Sequence, residues 1–348
     1  MTEIEVRQKV VQALQKLSLR QNLTEQETFE LFCYEFEGKL SEVQLAGLVV
    51  GLAVKGETFE ELAGAGRSLR TYAHKIRITG SPIVDIIGTG NDVQRTFNVS
   101  TIASIVVAGA GCTVAKHGCM LVRDACSSAD VLESCGYNMT ATPEKVEECI
   151  AKVGLGFMLS SVFQSGLHNV NKVSVDLGIR TIFNMLAPLG NPAGADSMVV
   201  GVFSGELTEK FAAALRNLGV KAALVVYGHD GMDEISISAP TRITELCDGK
   251  IRSYNIRPEM YFKGAEPVSP QDLAGGTQEE NAQTLRGILN GQIQGVKRNI
   301  VLINAAAGLY VAGKVNDLHE GIDMARYVID NGLAYKKFEQ MIEFMKKT

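Results

Sequence analysis

The chain has 348 residues, 46% hydrophobic and 21% charged, which places it among globular proteins with a core large enough for roughly two domains. Its formal net charge is −5 at pH 7, so no global field draws in a nucleic-acid backbone or an anionic membrane. Seven cysteines (33, 112, 119, 126, 135, 149, 247) show neither CxxC pairing nor metal-ligand spacing, which points to reduced thiols in a cytoplasmic protein. The acidic start Met1-Thr2-Glu3-Ile4-Glu5 lacks an apolar leader core, and the apolar run Thr101–Ala115 is too short to span a bilayer, so a soluble protein is expected.

Residues 1–73 read as helices only. Ile4, Val6, Val10, Val11, Leu14 and Leu17 follow helical spacing, and Thr24-x-x-Glu27, Ser41-x-x-Gln44 and Thr58-x-x-Glu61 are capping boxes that start three more helices. From about residue 80 strand-like runs alternate with helices. The expected strands are Ile83–Ile87, Leu155–Leu159, Met198–Phe203 and Ala223–Tyr227. The expected helices start at Ser100 and at Thr142-Pro143, and run over Glu206–Leu218, closed by Gly219. This alternation predicts an α/β fold with a mostly parallel sheet. Residues 235–257 read as short antiparallel strands around Asp248-Gly249, and 278–346 as helices again.

The glycine-rich segment Val84–Asp92, followed by Thr96-Phe97-Asn98-Val99-Ser100-Thr101, carries the strongest chemical signal. Gly88 and Gly90 allow close backbone approach, while Asn98, Ser100 and Thr101 open a helix with donors suited to an anion. An ordinary strand-to-helix turn is the plainer alternative for the glycines alone. Lys116-His117-Gly118 either points an ammonium into a cleft or presents a solvated lysine. Ser127-Ser128 offers hydroxyls at another helix start. Asp233-Glu234, just after a strand, suits Mg²⁺ or is an acidic surface turn. Arg180 could fork onto a carboxylate or pair with Asp176 one turn back on a helix.

In this order, Asp85-x-x-Gly-Thr-Gly-x-Asp92, Thr96-Phe-Asn-Val-Ser-Thr101, Ala115-Lys-His-Gly118, Ser128-Ala-Asp-Val-Leu-Glu133, Leu177–Asn184, Pro188-Leu-x-Asn-Pro-Ala193 and Gly228–Ser236 resemble the anthranilate phosphoribosyltransferase family over nearly the whole chain. The resemblance implies a small N-terminal helical domain (1–73, completed by helices around 163–187) beside a larger α/β domain (80–348), a fold shared with nucleoside phosphorylases. It implies phosphoribosyl pyrophosphate (PRPP) and Mg²⁺ in the cleft, a small aromatic acceptor, and a homodimer through the helical domain. By resemblance, Gly88, Thr89, Gly90, Asp92, Asn98, Ser100, Thr101, Lys116 and Ser128 bind PRPP. Ser100, Asp233 and Glu234 hold the metal. Arg180, Gly118 and Cys119 contact the acceptor, with Arg180 on its carboxylate. No covalent catalyst is implied.

The sequence departs from the family pattern in the substrate pockets. Cys119-Met120-Leu121-Val122-Arg123-Asp124 stands where the family has Asn-Arg-Ser-Val-Ser-Ser, and Gln164-Ser165-Gly166-Leu167 where it has His-Pro-Ala-Met. Asn91 and Val93 replace glycines. Three functions remain open: transfer of phosphoribosyl to anthranilate or a related aromatic acid, binding without catalysis (of nucleotide or nucleic acid), and nucleoside phosphorolysis. The absence of a basic cluster argues against nucleic acid.

Overall fold

The structure is a computed structural model that describes residues 2–80, 82–90, 96–118, 126–164, 168–264 and 268–346. Four helices open the chain: α1 (Glu3–Ser18), α2 (Glu25–Phe36), α3 (Glu42–Lys55) and α4 (Phe59–Tyr72). Capping boxes at Thr24, Ser41 and Thr58 start α2, α3 and α4 as expected, and Thr2 caps α1 in the same way. Each such cap is worth about 1 kcal/mol. α2 lies so close to α4 that a Cβ at Gly64 would stand 2.3 Å from the Glu25 carbonyl. Beneath them Glu61, fully buried, accepts from Leu23 N, Thr58 N and Lys55 Nζ, which gives the interior charge three partners.

The rest of the chain alternates strands and helices: β1 (Ile83–Gly88), α5 (Val99–Gly109), β2 (Thr113–Gly118), α6 (Ser128–Ser134), α7 (Pro143–Val153) and β3 (Leu155–Leu159). Three short helices follow, α8 (Ser160–Phe163), α9 (His168–Leu177) and α10 (Phe183–Leu186), then β4 (Ser197–Gly201), α11 (Leu207–Asn217) and β5 (Ala222–Gly228). A hairpin of β6 (Thr241–Cys247) and β7 (Lys250–Ile256) precedes α12 (Gln278–Leu289), α13 (Val296–Val311), α14 (Leu318–Asp330) and α15 (Leu333–Met345). The strands form one sheet in the order β3-β2-β1-β4-β5-β6-β7, parallel from β3 to β5 and antiparallel at the hairpin. The chain runs outward from β1 through β2 to β3 and then returns to β4 on the other side of β1. That reversal opens a crevice at the carboxyl ends of β1 and β4, where open α/β sheets take ligands.

Two expectations need correction. The segment 235–238 is not a strand; its alternating Ile-Ser pattern is held by side chains instead, with Ser236 Oγ donating to Asp230 Oδ2 at 2.6 Å. Conversely, β2 has no counterpart among the expected strands, because it follows the buried, apolar α5 directly and is itself buried across its middle, Lys116 and His117 included, so it shows no period-2 contrast.

The return from β3 to β4 passes through the helical layer. α9 packs on α3, α10 packs on α4, and Phe183 meets Phe32 edge-on at 5.7 Å between ring centroids. From α4, Arg70 donates to the carbonyls of Leu189 (2.7 Å) and Leu218 (2.9 Å), which fastens the helices to the segment before β4 and to the end of α11. No helix among the described residues is long and apolar enough to cross a membrane.

α2 also buries a lone acid. Glu35 is 2% exposed, its Oε1 has no partner, and burial alone pushes its carboxyl up to about 7. A folded-state value above the unfolded one means that the folded protein binds the proton more tightly. The resulting stability is complete below about pH 4.5 and is lost as pH rises through about 7. Glu35→Gln should remove this loss. Denaturant unfolding of the variant and the parent should therefore diverge by about 1–3 kcal/mol between pH 4.5 and 7.5 in favour of the variant, and parallel pH profiles would contradict the assignment.

Candidate functional site

β1 is buried from Ile83 to Ile87 with one charged residue in its middle. Asp85 is wholly buried, and its Oδ2 accepts from Asn191 Nδ2 at 2.7 Å while its Oδ1 accepts from His117 N at 3.3 Å. Asn191 Nδ2 also reaches the Ala115 carbonyl at 2.9 Å. The hinge segment 188–192 is therefore clamped to β1 and β2 at once. Burial pushes Asp85 up to about 6, opposed first by the Lys116 ammonium and then by the Asn191 bond.

Lys116 is not the solvated lysine of the plainer alternative. It is 3% exposed, and its Nζ donates to the Ile86 carbonyl at 2.7 Å and lies 3.3 Å from Ser100 Oγ. Burial pulls it down to about 8, against the attraction of Asp85, Glu234 and Asp233. At neutral pH the ammonium stands charged at the base of the crevice, beside the first turn of α5.

The glycine loop closes on Asp233. Gly90 has a φ of 68°, and its N–H donates to Asp233 Oδ2 at 2.9 Å. A Cβ at Gly88 would stand 2.3 Å from that same oxygen, so only glycine admits the carboxylate here. Thr89 N donates to the Gly201 carbonyl, which binds the loop to β4. Thr96 Oγ1 approaches Glu234 Oε2 at 3.4 Å. The 233–235 turn is itself held by α13, where Asn304 exchanges two 3.0 Å bonds with the backbone of Ile235 as a neighbouring strand would.

The start of α5 faces the start of α6. Thr101 Oγ1 donates to Ser128 Oγ at 2.8 Å, and Asn98 Nδ2 donates to the Cys126 carbonyl at 3.1 Å. That bond fixes the Asn98 amide and leaves its Oδ1 buried without a donor, an acceptor that a ligand hydroxyl would satisfy. Gly88, Thr89, Gly90, Asn98, Ser100, Thr101, Lys116, Ser128, Asp233 and Glu234 are thus brought together where the ends of β1 and β2 meet the starts of α5 and α6 and the 233–235 turn.

Arg180 lies in the loop beyond α9, which ends at Leu177, so the pairing one turn back on a helix does not describe it. Its guanidinium sits 4.6 Å over the Phe203 ring, two residues past β4, at the same carboxyl edge of the sheet. Gly118 ends β2, and its carbonyl lies 3.0 Å from Ser160 Oγ. Asp92, Cys119, Asn91, Val93, the stretch through Asp124, and Ser165–Leu167 lie outside the described residues.

Among the described residues no group of three His, Cys, Asp or Glu could hold a metal by itself. The pair Asp233 and Glu234 nonetheless fits Mg²⁺, which commonly takes one or two carboxylates and completes its shell with substrate phosphates and water. Residues the sequence reading passed over are Asp85 and Asn191 as a clamp, Asn304, and the His117–Ser160–Gln164 cluster. A carboxylate inside an apolar strand was the available signal for Asp85.

Comparison with known proteins agrees with this geometry. Residues 80–335 match the glycosyl transferase family a/b domain, and residues 11–73 its helical bundle domain. The anthranilate phosphoribosyltransferase of Desulfosudis oleivorans is 47% identical over 335 residues, covering 96% of this chain and 98% of that protein. The crystal structure of the Thermus thermophilus anthranilate phosphoribosyltransferase superposes with a TM-score of 0.90 at 40% identity, over 96% of this chain and 99% of that one. The Saccharomyces cerevisiae enzyme, solved in complex with PRPP and Mg, superposes with a TM-score of 0.88 at 25% identity, over 99% of both chains. Likeness at this level across both the helical and the α/β parts means that the chain belongs to the anthranilate phosphoribosyltransferase family.

Proposed function

We propose that this chain transfers the phosphoribosyl group of PRPP to the amine of anthranilate, with release of pyrophosphate. The observation that carries the reading is the buried Lys116 ammonium, set between the Asp233–Glu234 carboxylates and the donors of α5, in a chain 47% identical to a named anthranilate phosphoribosyltransferase. The ammonium answers the buried Asp85 carboxylate and also borders the donors of α5, where an anionic ligand gains from it, and the Asp233–Glu234 carboxylates have a metal as their natural counterpart.

The glycine loop and Lys116 are assigned to the pyrophosphate. Asn98 is assigned to a ribose hydroxyl, a donor that answers its buried Oδ1, and Ser100, Thr101 and Ser128 to phosphate oxygens. Asp92, by family resemblance, belongs with the loop. Ser100, Asp233 and Glu234 would hold Mg²⁺, whose chemistry is to neutralise charge that builds on the departing pyrophosphate. The protein itself orients the anomeric carbon towards the amine and keeps donors fixed on the leaving group, so no covalent intermediate is required. Arg180, with Gly118 and Cys119, is assigned to the acceptor, its planar fork matching the carboxylate and its face already stacked on Phe203.

The reading extends to the assembly and its setting. Exposed Ile4, Val43 and Val54 on α1 and α3 support a homodimer through the helical layer. The six cysteines among the described residues are free thiols, which supports the cytoplasm.

Pyrophosphate release from PRPP and Mg²⁺ should appear when anthranilate is supplied. Release with another aromatic acid and none with anthranilate would reassign the acceptor. Asp233→Ala with Glu234→Ala should raise the Mg²⁺ concentration for half-maximal rate by about tenfold or more, and an unchanged Mg²⁺ dependence would remove these residues from the metal site. Arg180→Lys keeps the charge but not the fork. Its KM for the acceptor should rise about tenfold with the KM for PRPP unaltered, whereas an equal change in both would contradict an acceptor role.

A further inference from the structure

The turn that carries Asp233 and Glu234 is tied down on both sides, and the two ties differ in kind. On the near side it stays with its own strand. Gly228 N, at the end of β5, donates to the Met232 carbonyl at 2.9 Å, and Met232 N donates to Asp230 Oδ1 at 3.3 Å. On the far side the tie comes from a helix 69 residues further along the chain. Asn304, in the middle of α13, accepts from Ile235 N through Oδ1 and donates to the Ile235 carbonyl through Nδ2, both at 3.0 Å.

The other Nδ2 hydrogen goes to the Ile300 carbonyl, one turn back, at 2.9 Å. Both amide hydrogens and the amide oxygen are therefore used, which fixes the side chain on its own helix. Asn304 is 2% exposed and Ile235 is fully buried, so solvent does not stand in for these bonds. The Ile235 N–H belongs to the peptide plane that begins at Glu234 Cα, so Asn304 fixes the course of the backbone from which Glu234 projects. Asp233 is placed from elsewhere. A Cβ at Gly201 would stand 1.5 Å from the Asp233 carbonyl oxygen, which shows its backbone pressed on the end of β4. Its carboxylate meets the glycine loop at Gly90 N.

We propose that Asn304 is a positioning residue for the Mg²⁺ site: by holding the peptide between Glu234 and Ile235 it keeps Glu234 beside Asp233 as a ready pair, and so sets the Mg²⁺ concentration at which the protein takes PRPP. This rests on the reading of Asp233 and Glu234 as metal ligands. Asn304 acts through backbone alone, since its three bonds all end on main-chain atoms. Loss of the amide leaves a buried N–H and a buried carbonyl unpaired at Ile235, and the turn shifts to find them partners.

Calorimetric titration of PRPP into the full chain, over a series of Mg²⁺ concentrations, tests this without turnover. Asn304→Leu is close in size and removes all three bonds. It should raise the Mg²⁺ concentration needed for half-restored PRPP binding by about tenfold, the lower end of what outer partners of a metal site contribute. At saturating Mg²⁺ its PRPP affinity should return to within about twofold of the parent, because mass action refills a weakened metal site. General damage to the fold gives a different pattern, a loss that excess Mg²⁺ leaves in place. That pattern, or an unchanged Mg²⁺ requirement, overturns the proposal. Should Asn304→Leu not fold, Asn304→Ser, which leaves room for a water beside Ile235, is held to the same two criteria. Asp233→Ala with Glu234→Ala, measured alongside, separates this proposal from the reading beneath it. A shift in that variant with none in Asn304→Leu removes Asn304 alone. No shift in either removes the metal reading, and Asn304 with it.

Discussion

The structure turns on the carboxylate of Asp85. It sits in the middle of β1, where every other side chain from Ile83 to Ile87 is aliphatic, and it has no exposure to solvent. A charge in such a place is costly unless it is paired and hydrogen-bonded. Here the compensation comes from three directions: the Lys116 ammonium, the amide of Asn191 and the backbone N–H of His117. Each partner belongs to a part of the chain that the function needs. Lys116 borders the proposed anion site, His117 lies at the end of β2 proposed for the acceptor, and Asn191 belongs to the hinge below the helical layer. One buried acid thereby sets the relative positions of the proposed donor half, the proposed acceptor half and the connection between them.

The same logic of mutual compensation recurs around the crevice. The glycine loop offers N–H groups, and Asp233 supplies the oxygen that one of them requires. Gly88 and Gly201 are small because that acid packs against both strand ends. The described part of the loop is consequently fixed by its own N–H groups, Thr89 on the Gly201 carbonyl and Gly90 on Asp233, which reduces the ordering that a ligand must impose. The side proposed for the acceptor is built differently. Its groups stand on separate elements, with Arg180 in a loop stacked on Phe203 and Gly118 at a strand end governed by Ser160. Side-chain hydrogen bonds, and not one rigid loop, set its geometry.

Much of the scaffold was legible in the sequence because it is written in local chemistry. The capping boxes at Thr24, Ser41 and Thr58 need only residues three apart, and each starts the helix it announces. The ordered motifs from Asp85 to Ser236 disclosed the α/β fold and the family for a similar reason, since each is a short strand-end or helix-start signal. What stayed hidden depends on distant pairing. Asp85 and Asn191 are 106 residues apart, and no spacing rule connects them. Lys116 reads as a surface residue until its carboxylate partner is known. β2 merged with α5 because two buried elements in succession show neither alternation nor a helical stripe. The Ile-Ser alternation at 235–238 misled for the opposite reason, imitating a strand while Asp230 and Asn304 held the backbone elsewhere.

If the Asp85–Asn191 clamp does unite the hinge with the donor site, then removing it without changing any charge should weaken the donor's hold. Calorimetric titration of PRPP with Mg²⁺ into Asn191→Ala, at a temperature where the variant is shown to be folded, measures this directly. The account predicts an affinity about tenfold below that of the parent, the scale of a lost bond to a charged group. An unchanged affinity in the folded variant would contradict it.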